Sequence, residues 1–179
     1  IVVNQASAAA IAYQSMLKDE HKRLVKEDAE ITTLVFALSG GCLTTSVCNI
    51  DKDMIEVKSS VMNEQVGGAD LDEVIVASIV AEIKSSLNVD VSTMRSVMNQ
   101  IRIESEHAKR YLSTAETARV TVHVPVDKQT TKCFHKMITR EQFIDANEEK
   151  FKAMEKTVQK VLAEAKMSPS DINDVVMVG

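Results

Sequence analysis

Two short stretches of this 179-residue chain hold residue types that could do chemistry. The first is LVFALSGGCLTTSV, Leu34 to Val47. The apolar run Leu34–Leu38 suits a buried strand, Ser39-Gly40-Gly41 a tight turn, and Leu43 onward a second strand. A Gly-Gly loop at a strand end can bring backbone N–H groups up to a phosphate. Phosphoryl transfer also calls for acids that organise a metal, yet no Asp or Glu occurs between Glu30 and Asp51. The loop is therefore a working phosphate site, a retired one or a plain hairpin turn. The second stretch is ESEHAKRYLS, Glu104 to Ser113. Its Glu106, Lys109, Arg110 and Ser113 stand at i, i+3, i+4 and i+7, on one helix face. Taken alone, such a face is ordinarily solvated and salt-bridged.

No other set stands out. Cys42, Cys48 and Cys133 form an odd number without zinc spacing and read as reduced thiols of a cytoplasmic protein. His21, His107, His123 and His135 lack metal spacing. No Ser/His/Asp or Cys/His set is evident, so they read as surface or strand residues. Met94, Met98 and Met154 read as core filler. Hydrophobic residues make up 45% and aromatics only 3%, so the core must be Val, Ile, Leu, Met and Ala. Net charge is −5 with both signs interspersed, which argues against a nucleic-acid partner. Apolar runs are too short for a membrane span, and no signal peptide is expected. The chain opens on Ile1-Val2-Val3, which reads as a strand, so a fragment of a longer protein is expected.

The elements that must position these residues follow from periodicity. Ser7–Leu17 is Ala-rich with helical spacing, and the charged run Lys18–Glu30 reads as a helix end and solvated loop. Strands are expected at Ile31–Leu38, Leu43–Ile50 and Met54–Met62, an antiparallel meander with a turn at Asp51-Lys52-Asp53. After Gly67-Gly68 a helix should present Leu71, Ile75, Ile79 and Ile83, with Asp70 and Asp72 favouring its N-terminal end. A second helix is expected over 91–112, then strands Arg119–Val124 and Lys132–Ile138. Thr139-Arg140-Glu141-Gln142 is a capping-box pattern opening one long helix with an apolar face of Phe143, Phe151, Met154, Val158 and Leu162. Ser168-Pro169-Ser170-Asp171 should start a short helix, and DVVMVG a buried strand.

In order along the chain, VNQASAAAIAY, LVFALSGG, VGGADLDEVIV, ESEHAKRYLS, ITREQF and DINDVVMVG resemble the nucleotide-binding domain of the seventy-kilodalton heat-shock chaperones. The resemblance covers essentially the whole chain. It implies an α/β fold, the second lobe of an actin-like ATPase: a mixed sheet with flanking helices over 1–67 and 139–179, carrying a smaller α+β subdomain over 68–138. It implies ATP or ADP as ligand, and other chaperones, co-chaperones and unfolded clients as partners of the full-length protein. It also implies Glu106, Lys109, Arg110 and Ser113 as an adenosine grip. There Arg110 and the Lys109 stem would pack on the purine, Glu106 would accept from a ribose hydroxyl, and Ser113 would bond a ring nitrogen. Gly67 and Gly68 match glycines flanking that pocket, Gly179 one near the adenine, and Gly40 and Gly41 the phosphate loop.

The departures from the family pattern concern catalysis. Asn4-Gln5-Ala6-Ser7 stands where the family reads Asn-Glu-Pro-Thr. The segment Ala37 to Thr44 stands where it reads Asp-Leu-Gly-Gly-Gly-Thr-Phe-Asp, so Ala37 and Thr44 replace two acids and Cys42 a threonine. No catalytic residue is assigned, and the residues argue against Mg²⁺. The expected function is an ATP-binding chaperone or co-chaperone lobe acting in protein folding with impaired hydrolysis. The alternatives are a fully active ATP-driven chaperone or a nucleotide-independent interaction module.

Overall fold

The computed structural model describes residues 3–20, 30–51 and 54–179, with backbone alone for 17–20. The opening Ile1-Val2, residues 21–29 of the charged run, and Lys52-Asp53 lie outside the described residues. The chain divides into two compact units, residues 1–68 with 151–179 and residues 69–150.

The first unit is built on a four-stranded sheet. Its strands are β1 (Ile31–Leu38), β2 (Leu43–Ile50), β3 (Ile55–Asn63) and, from the far end of the chain, β6 (Asp174–Val178). The order is β3-β2-β1-β6, with β1 antiparallel to β2, β2 antiparallel to β3, and β1 parallel to β6. Alternation along β1 sends side chains to two faces. Ile31 and Val35 join Ala6 and Ala10 of helix α1 (Gln5–Glu20), with Cys48 and Ile50. Leu34 joins Val47, Val61, Val161 and Leu162, the last two from helix α5 (Glu148–Ala165). The sheet is thus packed between a helix on each face, which covers the apolar residues of both.

The second unit contains helices α2 (Gly68–Leu87) and α3 (Arg95–Leu112), the hairpin β4 (Thr117–Pro125) and β5 (Thr131–Thr139), and helix α4 (Arg140–Ala146). Ile75, Val76, Ile79 and Ile83 of α2 meet Val97, Ile101, Ala108 and Leu112 of α3. The inward residues of the hairpin, Val120, Val122, Val124 and Phe134, complete that core. Met94 and Met98 pack against it, as filler should.

The structure corrects three expectations. The helix opened by Thr139 has its full capping box, but it ends after Ala146 and α5 starts afresh. The break is at Asn147, whose buried Nδ2 donates to Phe143 O at 3.0 Å and Leu71 O at 3.4 Å. A side-chain amide that bonds backbone carbonyls competes with the helix ladder. Helix α4 thus lies with α2 in the second unit, residues 69–150. Past Ser168 there is only a 3₁₀ turn, Pro169–Asp171. Asn173 already pairs with Thr32, donating from its N to Thr32 O at 2.8 Å, which draws the chain into β6. Finally, β6 is a sheet edge and not a buried strand: Val175 and Met177 are 58% and 75% exposed.

Candidate functional site

The glycine loop sits where parallel strands β1 and β6 both end, at Leu38 and Val178. Ligands of open α/β sheets bind outside such carboxyl ends. The turn is closed by Ser39 N donating to Cys42 O at 2.9 Å. A Cβ built at Gly40 or Gly41 would meet nothing within 4 Å, and no described glycine has a positive φ. Nothing in the described protein demands glycine at these two positions, and the space above their backbone is open. Gly67 differs, because a Cβ there would lie 2.5 Å from Gly40 O, 2.6 Å from Gly41 C and 2.7 Å from Cys42 N. Gly68 N donates to Ser39 O at 2.9 Å. A Cβ at Gly179 would stand 2.8 Å from Leu38 O. Gly40, Gly41, Gly67, Gly68 and Gly179 are therefore brought together around one loop, backbone against backbone.

Ala37 is buried and lies between Thr44 on β2 and Val178 on β6 in the ladder, so neither position opposite it supplies a carboxylate. Gln5 Nε2 reaches Ser39 Oγ at 3.4 Å, presenting an amide to the loop. Among the described residues no group of three or more His, Cys, Asp or Glu could hold a metal ion.

The helix face lies on the last turns of α3, in the second unit. Glu106 and Arg110 meet at 2.7 Å in an exposed i,i+4 pair, with Arg110 74% exposed. Ser113 is the exposed C-cap residue. Lys109 turns elsewhere: its Nζ lies 2.8 Å from Asp72 Oδ2 on α2, with the two side chains 21% and 14% exposed. Burial pushes the Asp72 carboxyl above its ordinary range, and the hydrogen bond and charge of Lys109 pull the other way with less effect. Asp72 Oδ1 is buried with no hydrogen-bond partner among the described residues. The face is thus one exposed ion pair beside one half-buried one. Spacing identified Asp72 only as a helix N-terminal acid, since nothing local signals a partner on α3.

The histidines and cysteines divide differently from what spacing suggests. His107 is on the α3 surface and His135 is on the hairpin, as expected, whereas His21 lies outside the described residues. Cys133 and His123, however, are directly opposed across β4 and β5 with Sγ and Nε2 3.9 Å apart, a Cys/His set that the sequence did not reveal.

Comparisons with known proteins follow the same outline. A family model described as Hsp70 protein matches residues 1–179. Two ribosome-associated molecular chaperones of Saccharomyces cerevisiae (strain ATCC 204508 / S288c) are each 34% identical over 179 residues. That alignment takes in 99% of this chain and 27% of each relative, so the chain spans about a quarter of their length.

Proposed function

The chain belongs to the Hsp70 family, and on that premise we propose that it is the nucleotide-binding lobe of a chaperone or co-chaperone that holds ATP or ADP but hydrolyses ATP poorly. The observation that carries the proposal is the open space above Gly40 and Gly41, at the end of a strand where Ala37 is flanked by Thr44 and Val178 and not by carboxylates. Bound ATP would supply a terminal phosphoryl group whose transfer needs a metal's charge and a placed water. Gly40 and Gly41 offer backbone N–H donors to phosphate. Ala37 offers a methyl group, and Gln5 an amide that cannot serve as a carboxylate base. One lost electrostatic contribution of this kind costs roughly 10²–10³ in rate. On the second unit, Arg110 is proposed to pack on the purine, with Glu106, Lys109 and Ser113 beside it.

A second reading, an interaction module that works without nucleotide, is favoured by the engagement of Lys109 with Asp72. The proposed partners are other chaperones, co-chaperones and unfolded clients, in the cytoplasm. Ribosome association, stated in the names of the two yeast relatives, is the corresponding proposal for its place of work. No described helix is long and apolar enough to cross a membrane.

Restoring the acids tests the proposal. Full-length protein carrying Ala37→Asp, Gln5→Glu, Cys42→Thr and Thr44→Asp should gain magnesium-dependent ATP turnover. A folded fourfold variant with no gain contradicts the idea that only the chemistry of this loop has been lost.

A further inference from the structure

The outward face of the β4–β5 hairpin carries a side-chain set that plays no part in the proposed nucleotide site. Strand alternation buries Val120, Val122 and Val124, so Thr121 and His123 point the other way. Register sets His123 opposite Cys133 and Thr121 opposite His135. His135 Nδ1 is 3.1 Å from Thr121 Oγ1. His123 has two other neighbours, Cys133 Sγ and the side chain of Gln100 on α3.

Gln100 fixes the tautomer of His123. The backbone N–H of His123 can only donate, and its partner at 3.1 Å must be an acceptor, so the Gln100 atom there is Oε1. The other end of the same amide, Nε2, is then the donor that faces His123 Nδ1 at 3.3 Å. Nδ1 accepts, so the ring proton resides on Nε2, the nitrogen facing Cys133 Sγ at 3.9 Å. With Nδ1 occupied and Nε2 protonated, His123 is a hydrogen-bond donor to sulfur and not a base. A donor there meets the negative charge that sulfur carries when it attacks.

The other two cysteines lack this arrangement. Cys48 is fully buried, and burial pushes its thiol up to about 11. Cys42 is half-buried in the glycine turn. Cys133 is exposed.

We propose that Cys133, with His123 as donor and Gln100 as the residue that positions His123, is a thiol-modification site that reacts with low-molecular-weight disulfides ahead of the other two cysteines. Sγ, as thiolate, attacks one sulfur of the disulfide. A new bond forms between Sγ and that sulfur, the reagent's own S–S bond breaks, and its electron pair leaves on the second thiolate. The proton lost from Cys133 ends on the departing thiol or in solvent, so one thiol and one disulfide are exchanged for another of each.

The test uses full-length protein and an aromatic disulfide that releases a coloured thiolate, with peptide mass spectrometry to locate the adduct. Cys133 should be modified before Cys42 and Cys48. His123→Phe and Gln100→Leu should each slow Cys133 by about 3–10-fold, the range expected for losing a donor to a charged sulfur. The rate at Cys42 should be unchanged in both variants, which separates loss of the donor from general loosening. Prior modification of Cys42 or Cys48 overturns the proposal. So does a Cys133 rate within about twofold of the original in both variants.

Discussion

Lys109 faces competing demands that the sequence alone does not reveal. Helix spacing offers it to a ligand, while the fold gives it Asp72 at 2.8 Å. The Asp72 carboxyl titrates above its ordinary range because burial outweighs the pull of Lys109. The folded protein therefore holds this proton more tightly than the unfolded chain. The stability contributed by that difference is present at acidic pH and is lost as pH rises through the raised pKa. Removing Lys109 leaves burial unopposed. Lys109→Ala should cost about 1–2 kcal/mol at neutral pH, less than the roughly 3–5 kcal/mol of a fully buried pair because both side chains keep some water. As pH falls and the Asp72 carboxyl takes up its proton, the deficit should shrink, and thermal melts at neutral and at acidic pH measure it. Equal deficits would mean that the pair does not govern the site. Arg110, 74% exposed, supports a different expectation. Arg110→Ala should change stability by at most about 0.5 kcal/mol, because an exposed i,i+4 pair contributes little. It should nevertheless weaken nucleotide binding by about 1–2 kcal/mol through loss of a stacked cation. Calorimetry with full-length protein showing unchanged affinity would remove Arg110 from the site.

At the scale of elements, the glycines divide into those the fold needs and those it does not. Gly67→Ala drives a Cβ into the backbone of Gly40, Gly41 and Cys42, so it should destabilise the protein by about 2 kcal/mol or more, as overpacking against atoms that cannot turn aside does. Gly40→Ala meets open space and should be neutral or stabilise by up to about 1 kcal/mol through the unfolded chain. If Gly40 serves phosphate, the same substitution should weaken nucleotide binding. Denaturant melts and calorimetry on both variants check this, and equal stability losses would refute the division. Boundaries set by local chemistry were legible in the sequence: β1 and β2 run Ile31–Leu38 and Leu43–Ile50, where apolar runs meet a glycine turn. The joint between α4 and α5 was not legible, because the apolar spacing from Phe143 to Leu162 runs straight across it. Its cause is the reach of Asn147 to Leu71, 76 residues away. The exposure of β6 was hidden for a similar reason. The composition of a strand gives its preference for burial, while its place at a sheet edge is decided by distant pairing.

At the scale of the whole molecule, the first unit depends on contacts that are remote in sequence. Asn173 Oδ1 accepts from Thr32 N, 141 residues away, at the start of the β1–β6 pairing. Such pairing closes a long loop, so loss of the last strand should affect the entire sheet. This topology and the family were legible, because they rest on the order of many motifs and not on one. The glycines that gather at the loop were legible through that same order. The partnership of Lys109 with Asp72 and that of Cys133 with His123 were not, since packing and strand register create them. The loop is proposed to retain a nucleotide cradle without the acids of a magnesium-dependent catalyst. The most direct measurement is ATP affinity and turnover of the unmodified full-length protein, with magnesium and with a chelator. ATP should bind with similar affinity in both conditions, and turnover should stay near background. Magnesium-dependent hydrolysis at a rate typical of active family members, or no binding of ATP or ADP at all, would contradict it.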